Sequence, residues 1–177
     1  MTPARPAWLE AALAALGPRR PAVLVKLDEQ RLYLVEADGW VSWPVSTAAR
    51  GAGSAENSFC TPLGLHRIAE KIGAGCAVGE VLRGRRPTGR IVEPVSAPQA
   101  LGEDLITSRI LWLEGLEPGR NRGPGVDSHA RYIYIHGTPE EGLIGRPVSK
   151  GCVRMRNADV IELFERVDVG TPVLLLA

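Results

Sequence analysis

Two side chains in the last third of the chain have the types needed for nucleophilic chemistry. They are Cys152, in Ser149-Lys150-Gly151-Cys152-Val153-Arg154-Met155, and His136, which ends Tyr132-Ile133-Tyr134-Ile135-His136. The thiolate is the reactive form of cysteine, and an imidazole held nearby can remove the thiol proton. Strand alternation puts Ile133 and Ile135 on one face and Tyr132, Tyr134 and His136 on the other. Applied to an extended segment 149–155, alternation turns Val153 and Met155 one way and Lys150, Cys152 and Arg154 the other. Two cations there would lower the thiol pKa from its reference near ~8.5. Gly151 would let a carbonyl group approach the backbone closely. Residue types alone leave a second reading open, in which Cys152 is a small buried hydrophobe and His136 a satisfied polar residue.

Other constellations carry less. Asp127-Ser128-His129 has the three residue types of a hydrolase triad, but adjacent residues cannot all converge on one point. His129, His136 and Cys152 could ligate zinc by type, yet they have no standard ligand spacing, so no metal and no cofactor are expected.

The elements that must position these residues are mostly short. Runs 22–27, 31–36 and 40–46 are rich in Val, Leu, Tyr and Trp and read as consecutive antiparallel strands, followed by a small-residue loop at 47–58 and a strand at 64–70. Segment 79–103 holds Arg83, Arg85, Arg86 and Arg90 with Pro87, Pro94 and Pro98, which suggests an ordered excursion. Strand character returns at 108–113, and 117–125 is a long turn-rich loop. A strand at 131–136 and an extended segment at 148–155 follow. Asn157 then reads as the N-cap of a helix with Val160, Ile161, Phe164 and Val167 on its apolar face. Gly170-Thr171-Pro172 stops that helix before a buried strand at 173–176. Near the N-terminus, Leu9, Leu13 and Leu16 sit at helical spacing. The architecture is therefore mainly β, with two helices.

Composition sets outer limits. A chain of 177 residues supports one main core, and a net charge of +1 argues against a general nucleic-acid or anionic-membrane binder. No apolar run is long enough to span a bilayer. The run 8–16 is interrupted by Glu10 and followed by Gly17-Pro18-Arg19-Arg20-Pro21, which fits a short amphipathic helix better than a signal peptide. Cys60, Cys76 and Cys152 form no CxxC pair and suggest no disulfide framework, so a reducing cytoplasm is the default expectation.

The segments Ile135-His136-Gly137-Thr138, Ile144-Gly145, Pro147 and Ser149-Lys150-Gly151-Cys152-Val153-Arg154-Met155 together resemble the L,D-transpeptidase catalytic (YkuD-type) domain family. Gln30-Arg31-Leu32-Tyr33-Leu34, Pro44-Val45-Ser46-Thr47, Thr61-Pro62-Leu63-Gly64 and Val169-Gly170-Thr171-Pro172-Val173 resemble its framework. The likeness covers most of residues 22–177, leaving 1–21 as a helical extension and 79–103 and 117–130 as lid or substrate loops. It implies a β-sandwich-like fold and cysteine acyl transfer at the bond between the L-centre of meso-diaminopimelate and the terminal D-alanine of peptidoglycan tetrapeptides.

Carried over, Cys152 would attack that carbonyl, His136 would take the thiol proton and return it to the leaving D-alanine, and the Gly137 carbonyl would orient the imidazole. The amides near Gly151 and Cys152 would hold the oxyanion, Ser149 would brace the loop, and Arg154 would position the loop or an anionic substrate group. Lys150 departs from the family's usual histidine; it brings charge but is a poor proton shuttle near neutral pH. The resemblance further implies a tetrapeptide or muropeptide partner and covalent acylation by carbapenems; separately, the cationic and turn-rich composition of 83–90 suggests part of a lid that recognises the partner's carboxylates. The reading that joins these points is a cytoplasmic L,D-carboxypeptidase of muropeptide recycling. Its alternatives are an exported, periplasmic L,D-transpeptidase that forms cross-links and a catalytically inactive peptidoglycan-binding domain.

Overall fold

The computed structural model describes residues 4–177. Its N-terminal third is a meander of β1 (Ala22–Lys26), β2 (Arg31–Val35) and β3 (Trp40–Pro44), with Leu24 opposite Tyr33 and Leu32 opposite Trp43. β1 is apolar nearly throughout because both its faces are covered: Val23 and Val25 enter the main core, while Leu24 faces α1 (Ala7–Leu16). Leu9 and Leu13 of α1 are buried against Leu24, Tyr33 and Val35. A ten-residue helix is marginal alone, so tertiary packing holds it, at roughly 2 kcal/mol for each buried leucine.

β10 (Pro172–Leu176) runs parallel to β1 and antiparallel to β4 (Gly64–Ile72), which pairs with β7 (Thr107–Gly115). β5 (Glu80–Arg83) and β6 (Arg86–Ile91) form a hairpin whose central residues, Gly84 and Arg85, both have positive φ (55° and 64°), as a tight two-residue turn demands. The path through the sheet is β3-β2-β1-β10-β4-β7-β5-β6. The sheet also forks at β7, which pairs with β8 (Tyr134–Gly137), and β8 pairs in parallel with β9 (Val153–Met155). The mainly β expectation holds, and the sandwich-like shape is one curled, ten-stranded sheet. Val160, Leu163, Phe164 and Val167 of α2 (Asn157–Arg166) and the residue after it fill the interior with Ile68, Leu111, Ile135 and Met155.

Four local expectations need correction. The strand expected at 131–136 begins only at Tyr134, because Tyr132 has φ 58° and the amides of Arg131 and Tyr132 bond back to Asp127 and His129. The segment expected to extend over 148–155 turns sharply at Gly151 (φ 128°), and only 153–155 is strand. Asn157 is the first helical residue rather than the cap; its own amide donates to Glu141 Oε1 at 2.8 Å. Its side chain ties the helix start to β7 and β8, accepting from Thr107 Oγ1 and Ser108 Oγ (both 2.6 Å) and donating to the Thr138 carbonyl (2.9 Å). Leu163 also replaces Ile161 on the buried helical face.

Candidate active site

The fork brings the chemistry together. β8 and β9 are parallel neighbours with His136 in register with Arg154, and Cys152 lies two residues before Arg154, at the entrance to β9. Diagonal positions on adjacent strands are on the order of 7 Å apart, within reach of an imidazole. Cys152 and His136 therefore project from neighbouring backbones, at the same end of the sheet.

Each group is held by backbone atoms. His136 is buried, and its Nδ1 donates to the Gly137 carbonyl at 2.6 Å, which leaves Nε2 with its lone pair. The Cys152 thiol donates to the Tyr132 carbonyl and accepts from the Tyr134 amide, both at 3.3 Å. The positive φ of Tyr132 is what aims its carbonyl back toward the sulfur.

The loop before the cysteine is braced from both sides. Ser149 Oγ accepts from the Gly151 amide (3.2 Å) and donates to the Cys152 carbonyl (2.6 Å). Thr61 Oγ1 donates to the Gly151 carbonyl at 2.9 Å. A side chain on Gly151 would meet the Cys60 carbonyl at 3.1 Å, in a backbone conformation that already favours glycine. With the Gly151 amide bonded to Ser149, the Cys152 amide is the one of the two that meets no acceptor among the described residues.

The electrostatics correct the sequence reading. Desolvation pushes the Cys152 thiol up to about 11, with the Asp104 carboxylate adding to the rise and the Tyr134 amide, Arg154 and Arg131 opposing it. Desolvation also pulls His136 down to about 4, against the pull of the Gly137 carbonyl. The resting pair is thus neutral thiol and neutral imidazole. The expected shared face of cations does not form, because the turn at Gly151 breaks the alternation. Arg154 is buried and neutralised, 2.8 Å from Asp104 and 3.7 Å from Glu140. Lys150 is exposed and makes no hydrogen bond or ion pair among the described residues.

Two clefts meet at Lys150. One, of about 260 Å³, is lined by Cys152, Lys150, Arg131, Phe59, Tyr132 and Glu56. The other, of about 310 Å³, is lined by Lys150, Arg154, Asp104, Glu103 and Glu140. Arg131, Asp104 and Thr61 are the residues that sequence reasoning missed as members of the site. Only Thr61 had a signal, in its framework motif; Asp104 arrives from a loop whose closure is tertiary.

The remaining candidates lie elsewhere. Ser128 pairs with His66, not His129, at 2.8 Å, and both are buried, so this pair cannot meet a substrate. His129 stacks on Trp112 at 4.0 Å. In the basic hairpin, Arg85 lies over Trp112 and Tyr132 and donates to Tyr134 Oη at 3.2 Å, and Arg90 pairs with Glu103. Among the described residues no group of three or more His, Cys, Asp or Glu could hold a metal ion, and no helix is long and apolar enough to cross a membrane.

A family model, that of the YkuD L,D-transpeptidase catalytic domain, matches residues 20–175. The chain belongs to the L,D-transpeptidase catalytic domain family. Among relatives of this L,D-transpeptidase domain is the Bacillus subtilis (strain 168) protein YkuD, 44% identical over 63 residues, a stretch that is 32% of this chain and 38% of that protein. An L,D-transpeptidase from Mycobacterium smegmatis superposes with a TM-score of 0.54 at 14% identity, covering 88% of this chain and 58% of the other. L,D-transpeptidase 3 from Mycobacterium tuberculosis, with a faropenem-derived adduct, superposes at 0.52 and 13% identity, covering 88% and 60%. These two likenesses concern the fold, and the chain spans less than two thirds of each of the three proteins. Helix α1 lies before the matched range, yet it packs on the sheet of the L,D-transpeptidase domain.

Proposed function

We propose that this domain cleaves the meso-diaminopimelate to D-alanine bond of peptidoglycan tetrapeptide stems through a Cys152 acyl-enzyme. The observation that carries the reading is the locked tautomer of His136: with Nδ1–H fixed on the Gly137 carbonyl, Nε2 is the base available to the thiol. Sγ attacks the scissile carbonyl as its proton passes to Nε2, and the Cys152 amide is free to hold the oxyanion. Collapse breaks the C–N bond, and the imidazolium returns its proton to the leaving D-alanine amine. Water, deprotonated by His136, then releases the tripeptide acid and restores the thiol. Ser149 and Thr61 keep the nucleophile loop in place, and Arg154 acts as a positioning residue.

This is L,D-carboxypeptidase activity, and we place it on soluble muropeptides in the cytoplasm. Supporting that placement, the apolar run 8–16 packs as α1 against β1 and β2. A second reading, cross-linking by an amine acceptor in the periplasm, is favoured by the cleft beyond Lys150, where the acids Glu103, Asp104 and Glu140 outnumber the cations Lys150 and Arg154.

Incubation with purified disaccharide-tetrapeptide, with and without an amine acceptor, separates these readings by mass spectrometry. Tripeptide alone supports hydrolysis, and acceptor adducts support transpeptidation. Full release of D-alanine by Cys152→Ala would overturn the mechanism, as would a carbapenem adduct that survives this substitution. An alkaline-phosphatase fusion with fractionation tests the compartment.

A further inference from the structure

Two cations face the sulfur's cleft without a carboxylate partner among the described residues. Lys150 is exposed beside Cys152 and has no hydrogen bond or ion pair among the described residues. Arg131 is half-buried and bonds only neutral acceptors: the carbonyls of Cys60 (2.8 Å), Ser54 (3.3 Å) and Gly53 (3.4 Å) and Ser58 Oγ (3.4 Å). Three of these four contacts are long, so the guanidinium can still receive an anion. Among the described residues Glu56 is the only acid lining this cleft, and Arg154 contributes no free charge because Asp104 and Glu140 hold it.

The cleft carries a net positive lining next to the nucleophile, and the proposed donor has an anion at a fixed distance from the reacting carbon. The D-alanine carboxyl carbon is three bonds from the scissile carbonyl carbon, about 3–4 Å away. A carboxylate so placed falls inside a cleft of about 260 Å³ that also contains Cys152.

We propose that Lys150 and Arg131 recognise the free C-terminal carboxylate of the donor peptide, making the domain selective for stems that end in an unblocked D-amino acid. The inference rests on the acyl-enzyme reading above and assigns its leaving-group site. It also gives Lys150 a role that needs no proton transfer: a compact, strongly hydrated point charge suits a carboxylate that must depart with the product.

The test compares three tetrapeptide donors: the free acid, the C-terminal amide and a donor amidated only on the diaminopimelate side-chain carboxylate. Each is assayed with the wild-type protein, Lys150→Met and Arg131→Gln, following acyl-enzyme formation by mass spectrometry. The wild type should prefer the free acid over the C-terminal amide by about tenfold or more, the scale of losing a charge-assisted hydrogen bond. Lys150→Met, an exposed change, should lose most of that preference, so that the substitution and the C-terminal cap are not additive. Equal use of acid and C-terminal amide by the wild type overturns the proposal. So does a Lys150→Met deficit of the same size on both, or discrimination seen only with the side-chain amide. Failure of Cys152 to acylate with any donor overturns the acyl-enzyme reading itself, and this inference with it.

Discussion

Ser149 Oγ and the carbonyl of Cys152 are joined by a 2.6 Å hydrogen bond, and the same hydroxyl receives the Gly151 amide. One side chain thereby closes the nucleophile turn. We expect Ser149→Ala to cost about 1–3 kcal/mol of stability through the groups left unpaired. Acylation should slow by more than thermal unfolding indicates, because the Cys152 amide loses its alignment. Melting curves alongside single-turnover acylation rates check this.

The state of the thiol sets a pH signature. With Cys152 held up near about 11 and His136 down near about 4, the thiolate population of the resting protein rises with pH across the whole neutral range. Alkylation of Cys152 by iodoacetamide should therefore increase steadily from pH 7 to pH 10. A plateau below pH 8 would show a resting thiolate and contradict the neutral pair.

Stability should fall in acid for a separate reason. His66 is buried, with Nδ1 bonded to the Gly64 carbonyl and Nε2 to Ser128 Oγ, and its pKa is lowered to about 4 by desolvation. Between about pH 4 and the unperturbed value near 6.5, the unfolded chain binds the extra proton, so stability rises with pH. The contribution is present above pH 6.5 and is lost as pH falls toward 4, at up to about 1.4 kcal/mol per unit. His66→Gln should flatten the slope of urea-unfolding free energy over that window; an unchanged slope would assign the acid loss to other groups.

Arg154 should matter more to folding than its position beside the cysteine suggests. Arg154→Met leaves Glu140 buried without its cation, which should cost about 3 kcal/mol or more. Asp104→Asn removes a half-exposed partner and should cost about 1 kcal/mol or less. Paired urea titrations distinguish the two; similar costs would mean that Asp104 is the true anchor.

Leu13→Ala in α1 should destabilise by about 2–4 kcal/mol, because it opens a cavity against the outer face of the sheet. Carbapenem labelling of Cys152 at temperatures well below unfolding should be unaffected, since α1 packs on Leu24, Tyr33 and Val35 of β1 and β2. Mass-spectrometric labelling rates provide the check.

The sequence made the candidate nucleophile and base legible because a long motif with fixed spacing surrounds them, and it made the strands legible because their apolar runs are two-sided. The sheet fork stayed hidden, since nothing in 107–115 says that one strand will serve three neighbours. Alternation failed at 149–152 for a local reason: Gly151 (φ 128°) turns the chain, so Lys150 is exposed at the cleft while Arg154 is buried with its carboxylates. Arg131 carries no local signal because the pattern of 131–136 is that of a strand, and only the positive φ of Tyr132 turns that stretch into a wall of the cleft. The ion partners of Arg154, Glu140 and Asp104, come from 14 and 50 positions away, separations no local pattern encodes.

Thr107 pairs with Val81 of the hairpin and with Gly137 of the catalytic arm, so the two meet at one residue of β7. Beyond that one ladder pairing the hairpin rests on side-chain contacts such as Arg85 over Trp112 and Tyr132, while the strands carrying the candidate nucleophile and base have their own registers. Grafting a longer or shorter turn at 84–85 should therefore change the reach over the sulfur without re-registering β8 or β9. The domain is in that sense a fixed reaction centre with an exchangeable arm.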